Sequence, residues 1–425
     1  MYFLSQVSLS MFLVTLTTIV YMLSRCVTTH NNSATIHPSD IYEEKPGSFY
    51  VRQLGYFQSI IRSELNITRI VHSEVWHTRN ELFFYPEDAP TSTGETSKKI
   101  KPIFLVYYCD SNTSCSNWGE SQEGLTFVYS LSRLVDRHFK IIMPNPCNLS
   151  QFFTPNKVQW APLKGELTPP TENNTIDTTT EQGQRDFIAN IQAGDFNVKY
   201  RHDTVYIKAN RDLQDTLFGD TFYAKRIQDW KVTMNARIRF HLAWHELMRP
   251  STEMISSLKH ILGDSFLIRK GLLPPSENPR RDSMYDVADS QLVCAHVPMP
   301  LHTEEENVQT VDIKALHNFM SSKGQLGSSH FFIATDDRNI FVQSKHFFQN
   351  HLIDYGAKTL HKYYLQNSLS ACDRLTDVVT DQMILSLCDV LIVSHSLVSR
   401  LAYFMSNITQ SVFLIDNGHI KSLNT

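Results

Sequence analysis

The sequence predicts an α/β protein with two doubly wound layers, preceded by an apolar membrane anchor and a polar stem. Three observations predict this class. Short apolar strand runs alternate with amphipathic helices in two parts of the chain. An uncharged apolar stretch opens the sequence, and a polar, irregular stretch separates it from the first strand run. We expect the anchor at residues 1–25, the stem and linker at 26–100, and the two layers at 101–285 and 286–425.

The composition is that of a packed globular protein. Of the 425 residues, 42% are hydrophobic and 19% are charged, and the formal net charge is −4. These proportions argue against global disorder. The chain has no long basic run, so nothing indicates a nucleic-acid partner.

The N-terminal segment has no charged residue from Tyr2 to Leu23, and residues 11–23 are densely apolar. A helix of about 20 such residues spans the core of a bilayer, so we expect an uncleaved anchor. The alternative is a cleaved signal peptide, which would have a basic start and a shorter apolar core. Arg25 follows the span and, by the positive-inside rule, draws that flank toward the cytosol.

Glycosylation acceptors and cysteines favour a body in the lumen of the secretory pathway. The Asn-x-Ser/Thr acceptors are Asn31, Asn66, Asn112, Asn148, Asn173 and Asn407. None of the seven cysteines forms a Cys-x-x-Cys pair, so a zinc site of the usual spacing is not expected. Cys109 and Cys115 are able to close a small loop in an oxidising lumen. Cys294 and Cys388 lie beside apolar runs and are expected to be buried thiols.

The first layer follows a loop at residues 85–101 that is rich in Pro, Ser and Thr. The predicted elements are strand 102–108, helix 124–138, strand 139–143, a polar surface insertion at 168–184, strand 204–208, and a helix from a cap at Ser251 to Leu262 before Gly263. Strand, helix and strand in this order begin a parallel layer.

The second layer alternates more regularly. The predicted elements are strand 291–297, helix 313–322, strand 330–335, helix 339–350, helix 376–388, strand 390–393, helix 397–405 and strand 411–415. This pattern is typical of a doubly wound α/β domain of ordinary size.

Polar residues follow three of these strands, as His296, Thr335–Asp337 and Ser394–Ser396. Ligands of such sheets bind beyond the carboxyl ends of the strands. Hydroxyl and N–H groups at a helix start suit a phosphate. Paired carboxylates suit a guanine edge, ribose hydroxyls or positive charge developing on a sugar ring. Each motif also has a structural interpretation, as a helix cap or a turn.

Several motifs follow one another in the order of a known family. They are His296-Val297, Ala334–Asp337, Asp381–Asp389 (DQMILSLCD), Arg400–Tyr403 (RLAY), Asn117–Gly124 (NWGESQEG) and Pro146–Trp160. Together they resemble the alpha-1,6-fucosyltransferases and the bacterial nodulation fucosyltransferases over residues 100–420. The resemblance implies a GT-B-like fold of two Rossmann-like domains facing a cleft. It also implies GDP-fucose as donor, no metal or other cofactor, and a glycan or glycoprotein acceptor in the Golgi.

The resemblance further implies roles for individual residues. The donor would be bound by His296, Asp336, Asp337, Ser394, Ser396 and Arg400, and the catalytic residues would be Asp337 and Asp381. The expected reaction is a single displacement, in which an acceptor hydroxyl attacks the sugar carbon of GDP-fucose.

Two departures from the family pattern concern positive charge. Pro298 and Met299 stand where the family has basic residues that hold the donor pyrophosphate, and Glu120–Glu123 replaces an acidic-basic pair. Because the departing GDP develops negative charge, each lost cation is expected to lower the rate by about 10²–10³. Arg400, Arg338, Arg280 and Arg281 are candidate substitutes from another direction. A catalytically silent relative that binds glycan or nucleotide is the alternative interpretation.

A metal hydrolase is a third interpretation, because His241 and His245 lie four residues apart on one face of a predicted helix, with Glu246 beside them. The order differs from the His-Glu-x-x-His of zinc proteases, and no third ligand is evident. A helix surface with two histidines is therefore the favoured interpretation.

Overall fold

Two largely parallel sheets and their helices make up the part of the chain that this computed structural model describes. The described residues are 101–110, 117–215, 223, 236–274, 287, 290–298, 312–324, 328–356, 370–406, 410–416 and 418–423. They belong to one compact unit.

The first half contains a four-stranded parallel sheet. Its elements are β1 (Phe104–Tyr108), α1 (Trp118–Leu134), β2 (His138–Ile142), β3 (Phe153–Pro155), β4 (Thr175–Asp177), α2 (Glu181–Gln192), α3 (Phe196–Lys199), β5 (Thr204–Lys208), α4 (Ala236–Leu247), β6 (Met248–Pro250), α5 (Thr252–Leu262) and α6 (Asp264–Arg269), with 3₁₀ turns at Leu149–Gln151 and Glu172–Asn174. The strand order is β2-β1-β5-β4, and β3 pairs separately with β6.

The second half contains a five-stranded sheet. Its elements are β7 (Gln291–His296), α7 (Ile313–Lys323), β8 (Ser329–Ala334), α8 (Arg338–Phe348), α9 (Ala371–Leu387), β9 (Val390–Val393), α10 (Leu397–Met405), β10 (Ser411–Asp416) and β11 (His419–Ser422), with a 3₁₀ turn at Gln349–His351. The order is β11-β10-β9-β7-β8, and β11 alone of these strands runs antiparallel. One sheet therefore falls in each predicted range, 101–285 and 286–425, and the exact boundary stays a prediction.

Helices from the two halves share one hydrophobic core. α1 packs against α9 and α10, and α4 packs against α10. Leu125 of α1, Trp244 of α4 and Leu385 of α9 are members of the same buried cluster. A buried hydrogen bond also joins the halves, because Trp118 Nε1 donates to Gln382 Oε1 at 2.6 Å. The core thus fixes the carboxyl edge of the second sheet against the first turn of α1.

Several element boundaries agree with the sequence predictions, and two helices begin earlier. α5 begins at the Ser251 cap and ends at Gly263, as predicted. α1 begins before residue 124 because the Asn117 side chain accepts a hydrogen bond from the Glu120 backbone N–H. α9 begins before residue 376 because Ser370 caps it. Both first turns are rich in polar residues, so apolar spacing alone does not find them.

The stretch 168–184 is not only a surface insertion, and that prediction is wrong for its second half. β4 pairs in parallel with β5 as an edge strand. Thr180 then caps α2 by accepting a hydrogen bond from the Gly183 N–H. A three-residue strand inside a polar run has too little alternation for the sequence to reveal it.

The cysteine predictions also need correction. Cys294 and Cys388 form a disulfide rather than staying buried thiols, and Cys147 pairs with Cys372 across 225 residues of sequence. Cys109 is disulfide-bonded as well, and its suggested partner Cys115 lies outside the described residues. The apolar neighbours of Cys294 and Cys388 in the sequence correctly predict that both are buried. They carry no information on which cysteines pair, because pairing depends on distances in the folded protein.

The predicted anchor and stem lie outside the described residues. So do the acceptors Asn31, Asn66, Asn112 and Asn407. Among the residues that are described, no helix has both the length and the apolar character to cross a membrane. Asn148 and Asn173 are exposed, and their glycosylation stays a prediction.

Candidate functional site

The carboxyl edge of the second sheet brings together the predicted donor-binding residues other than Arg400. In the ladders, His296 lies opposite Ala334, and Ala295 lies opposite Ile392. The residues that follow β7, β8 and β9 are therefore neighbours along one edge, in the order that the strand pairing dictates. Their proximity follows from the topology, and their roles in binding stay predictions.

His296 and Ser394 are joined directly. His296 Nδ1 lies 2.9 Å from Ser394 Oγ, and the Ser396 backbone N–H also donates to that hydroxyl at 3.3 Å. Although part of His296 is accessible, its burial among protein atoms lowers its pKa to about 4. At neutral pH the ring is uncharged, so it offers hydrogen bonds but no positive charge to a ligand.

Ser396 begins α10. Its Oγ accepts a hydrogen bond from the Val398 N–H at 3.3 Å, which makes it the N-cap. The first turn of α10 touches the first turn of α1 so closely that a Cβ on Gly119 would lie 2.5 Å from Leu397 Cβ. Two helix starts, each with a partial positive charge, are therefore adjacent at this edge.

Asp337 caps α8. Its Oδ1 accepts hydrogen bonds from the backbone N–H groups of Asn339 at 2.7 Å and Ile340 at 3.4 Å. The capping interpretation of the Thr-Asp-Asp motif is thus confirmed for this residue. Asp336 is exposed, and Thr335 is buried at the end of β8. A catalytic role for Asp337 would rely on the carboxylate oxygen that does not cap the helix.

Asp381 lies on α9 and lines a small pocket at the β8 side of the edge. The pocket is formed by Phe332, Ile333, Thr335, Phe341, Ile353, Asp354, Tyr355 and Asp381. Burial raises the pKa of Asp381 to about 7, with a hydrogen bond from Tyr355 opposing the rise and the charge of Asp377 adding to it. This carboxyl is therefore close to half ionised at neutral pH.

Arg400 of α10 forms an ion pair with Glu123 of α1. Burial raises the pKa of Glu123, and the neighbouring Arg400 lowers it. Both side chains are mostly buried, at 23% and 15% exposure. The charge of this arginine is therefore largely matched by a carboxylate, which reduces what it offers to a phosphate.

Replacing Arg400 by Met is expected to destabilise the protein by about 3–5 kcal/mol, because the Glu123 carboxylate is left buried without its partner. Adding Glu123→Gln to Arg400→Met should recover much of that loss. Denaturant unfolding of both variants measures the difference. If the single variant is as stable as the parent, the pair contributes nothing to holding α10 on α1.

Pro298 and two basic groups near the end of β10 contribute little positive charge to this edge, whereas the exposed Arg338 begins α8 directly after Asp337. Pro298 is exposed directly after β7, and Met299 lies outside the described residues. His395 Nε2 lies 3.4 Å from Asp416 Oδ1, and Lys421 Nζ lies 2.7 Å from Asp416 Oδ2. Both of these basic groups are thus directed to the carboxylate that ends β10.

The two histidines of α4 hold that helix on α10. His241 Nδ1 lies 2.9 Å from the Phe404 carbonyl oxygen, and His245 Nε2 lies 3.2 Å from that of Met405. Each ring thus commits one nitrogen as a donor to the end of α10. In the part of the chain that is described, no cluster of three potential metal ligands occurs.

Sequence reasoning missed Tyr355. It lies in an irregular segment after α8, where neither strand nor helix periodicity marks it. Its hydroxyl bonds Asp381, a residue 26 positions away, which no local pattern reveals. The available signal was the apolar pair Leu352-Ile353 before it, which is typical of a segment that packs on a strand edge.

Comparison with solved structures finds fucosyltransferases. A point mutant of Arabidopsis thaliana FUT1 in complex with GDP matches with a TM-score of 0.50 at 9% identity, over 89% of this chain and 83% of that chain. NodZ alpha-1,6-fucosyltransferase soaked with GDP-fucose matches with a TM-score of 0.46 at 11% identity, over 76% of this chain and 99% of that one. POFUT1 in complex with GDP matches with a TM-score of 0.40 at 8% identity, over 74% and 98%.

The likeness to FUT1 shows a fold rather than an activity. Of the three structures, the FUT1 mutant alone reaches a TM-score of 0.5, and at 9% identity it shows that the fold is shared. The sequence matches no protein-family model and no curated protein. The chain is therefore an α/β protein with the GT-B fold of fucosyltransferases.

Proposed function

We propose that this protein is a glycosyltransferase that moves fucose from GDP-fucose to a glycan or glycoprotein acceptor. One observation carries the proposal. On a fucosyltransferase-like fold, the carboxyl edge of the second sheet gathers His296, Ser394 and Ser396 at a helix start, beside a pocket that contains Asp381.

The base and the diphosphate of GDP-fucose each have a matching group in this proposal. The Asp381 carboxylate accepts from the N–H groups of a guanine edge. The hydroxyls of Ser394 and Ser396 and the N-terminus of α10 suit the diphosphate, because the helix dipole is positive there.

The proposed reaction is a single displacement. The oxygen of an acceptor hydroxyl bonds to the anomeric carbon of fucose as the bond from that carbon to the phosphate oxygen breaks. GDP leaves with the bonding electron pair, and the hydroxyl proton passes to a carboxylate, for which Asp337 is the candidate. No metal is required, because helix N–H groups and hydroxyls stabilise the diphosphate.

We further propose that the body lies in the lumen of the Golgi or another secretory compartment, attached by the N-terminal apolar segment. Two disulfides, Cys147–Cys372 and Cys294–Cys388, support an oxidising compartment. The exposure of Asn148 and Asn173 is compatible with glycosylation at both acceptors.

A second candidate is a protein that binds the nucleotide sugar without transferring it. The observation that favours it is the pairing of Arg400 with Glu123, together with Pro298 at the end of β7. With Arg400 paired to Glu123, the charge on departing GDP is less well stabilised, which lowers the rate much more than ground-state binding.

Calorimetry with GDP-fucose, followed by transfer assays with labelled donor and a glycan panel, separates these candidates. Binding with transfer supports the transferase. Binding with neither transfer nor hydrolysis supports the second candidate. Absence of heat at millimolar GDP-fucose, from material whose cooperative unfolding shows that it is folded, contradicts both.

Replacing Asp337 by Asn is expected to abolish any transfer that the parent performs. Asn caps helices about as well as Asp, so α8 should stay intact and only the negative charge is removed. Initial rates with labelled donor measure the effect, and the melting temperature reports the cap. Full activity in this variant would exclude Asp337 from the chemistry.

A further inference from the structure

Helix α9 is covalently cross-linked at both of its ends. Cys372, in its first turn, forms a disulfide with Cys147 of the first half. Cys388, the residue at which the helix ends, forms a disulfide with Cys294 of β7. A helix of this length spans about 25 Å. One end of α9 is therefore joined to the first half of the chain, and the other end is joined to the second sheet.

The segment around Cys147 belongs firmly to the first half. Cys147 is buried, and the 3₁₀ turn Leu149–Gln151 follows it directly. The Ser251 hydroxyl donates to the Gln151 carbonyl at 2.7 Å, and the Ser251 N–H donates to the Phe152 carbonyl at 2.8 Å. Because Ser251 caps α5, the disulfide fastens the start of α9 to a segment that is itself held on another helix.

The first turn of α9 is shallowly packed, whereas the middle of the helix is buried. None of the residues 370–374 is buried, and Leu375 is the first that is. Farther along, Gln382 accepts a hydrogen bond from Trp118 Nε1 and donates one to Gln122 Oε1 at 2.8 Å. The middle of α9 is therefore fixed to α1 by burial and hydrogen bonds, whereas burial contributes little at the start.

The two disulfides also differ in accessibility. Cys294 and Cys388 are 0% and 3% exposed and belong to the core that the two halves share. Cys372, in contrast, is partly exposed. Thiol–disulfide exchange requires a thiolate to reach one of the two sulfur atoms. A reductant therefore reaches Cys372 in the folded protein, whereas it reaches the Cys294–Cys388 bond only when the core opens.

We propose that the Cys147–Cys372 disulfide is a redox-sensitive clamp: a dithiol opens it selectively, and its opening releases the first two turns of α9 while the rest of the helix stays in place. This device is independent of the proposed function, because neither a nucleotide nor a sugar takes part in it.

The chemistry of opening is a two-step exchange. A thiolate of the dithiol bonds to Cys372 Sγ as the bond between the two cysteine sulfur atoms breaks, and Cys147 Sγ leaves with the electron pair and takes up a proton. The second thiol of the reductant then displaces Cys372 in the same way. Two cysteine thiols are formed, and the dithiol is oxidised to a disulfide.

The first test measures selectivity in the folded protein. The full chain is incubated with dithiothreitol under native conditions, free thiols are alkylated at successive times, and the labelled peptides are quantified by mass spectrometry. Cys147 and Cys372 should become labelled on the order of 100 times faster than Cys294 and Cys388. Equal rates for the two pairs would overturn the proposal.

The second test measures release by hydrogen exchange in the double variant Cys147→Ser/Cys372→Ser, which leaves no unpaired thiol at the clamp. Exchange of residues 371–377 should be at least about tenfold faster than in the oxidised parent, whereas residues 379–387 and β7 should stay within about twofold. The selectively reduced parent is the matched control, because it opens the clamp without a substitution and should show the same pattern.

Unchanged exchange at residues 371–377 in both the folded variant and the reduced parent contradicts the clamp. An equal increase across α9 and β7 contradicts it as well, because it shows that the bond stabilises the whole molecule rather than one turn. Neither result depends on binding of GDP-fucose, so failure of the proposed function is a separate outcome.

Discussion

Replacing Asp381 by Asn is expected to weaken GDP-fucose binding about 100-fold at pH 8, because a charged hydrogen-bond acceptor is lost from a buried pocket. The asparagine amide also presents an N–H group toward the guanine donors. Titration calorimetry at pH 8 measures the change. Asp354→Asn is the matched control, because it removes a carboxylate from the same pocket that is already paired with Lys345.

The same substitution should remove the pH dependence of binding. The pKa of Asp381 is raised to about 7, so the carboxylate that accepts from guanine is lost as the pH falls. Affinity for GDP-fucose should therefore drop about tenfold from pH 8 to pH 6 in the parent and stay flat in Asp381→Asn. GDP-fucose suits this measurement because its diphosphate diester keeps a constant charge over the range. Affinity that rises on acidification would place Asp381 outside the base site.

Replacing Gly124 by Ala is expected to destabilise the whole molecule by about 3 kcal/mol or more, as overpacking against backbone does. A Cβ at this position would lie 2.0 Å from the Ala209 carbonyl oxygen, and that oxygen is backbone that follows β5. The gain in helix propensity from Gly to Ala is only about 1 kcal/mol and does not offset the clash. α1 would have to move away from the first sheet.

Thermal or denaturant unfolding measures this change. Ser130→Ala, in the same helix, is the control: it removes a hydroxyl that bonds the Thr126 carbonyl within the helix and should alter stability by less than about 0.5 kcal/mol. An equal melting temperature for Gly124→Ala and the parent would contradict the prediction, because it would show that α1 moves away from β5 without loss of stability.

The strand ends could be predicted from sequence because their signals are local. The apolar run VLIV followed by Ser394 marks a buried strand and its edge, and the structure places β9 there. The same reasoning identified Asp337 both as a candidate ligand and as a cap. Strand pairing then brings His296 beside Ser394, since carboxyl ends of parallel strands share one edge.

The remaining features depend on contacts between distant residues. The pairing of Arg400 with Glu123 joins helices of different halves, and periodicity describes each helix only by itself. Tyr355 reaches Asp381 from an irregular segment. The partner of Cys147 is likewise set by the folded arrangement. Sequence patterns therefore predict the helices, the strands and the sheet edge at which the site lies. The partners of the charged residues are visible only in the three-dimensional structure.

The Cys147–Cys372 and Cys294–Cys388 disulfides overlap along the chain, since Cys294 lies between Cys147 and Cys372 whereas Cys388 lies beyond them. A protease that cuts the chain once, anywhere between Cys147 and Cys388, therefore leaves two pieces that remain covalently joined. Such nicked protein would migrate as one species until a reductant is added. One cut in a loop would therefore not by itself separate the residues that form the candidate site.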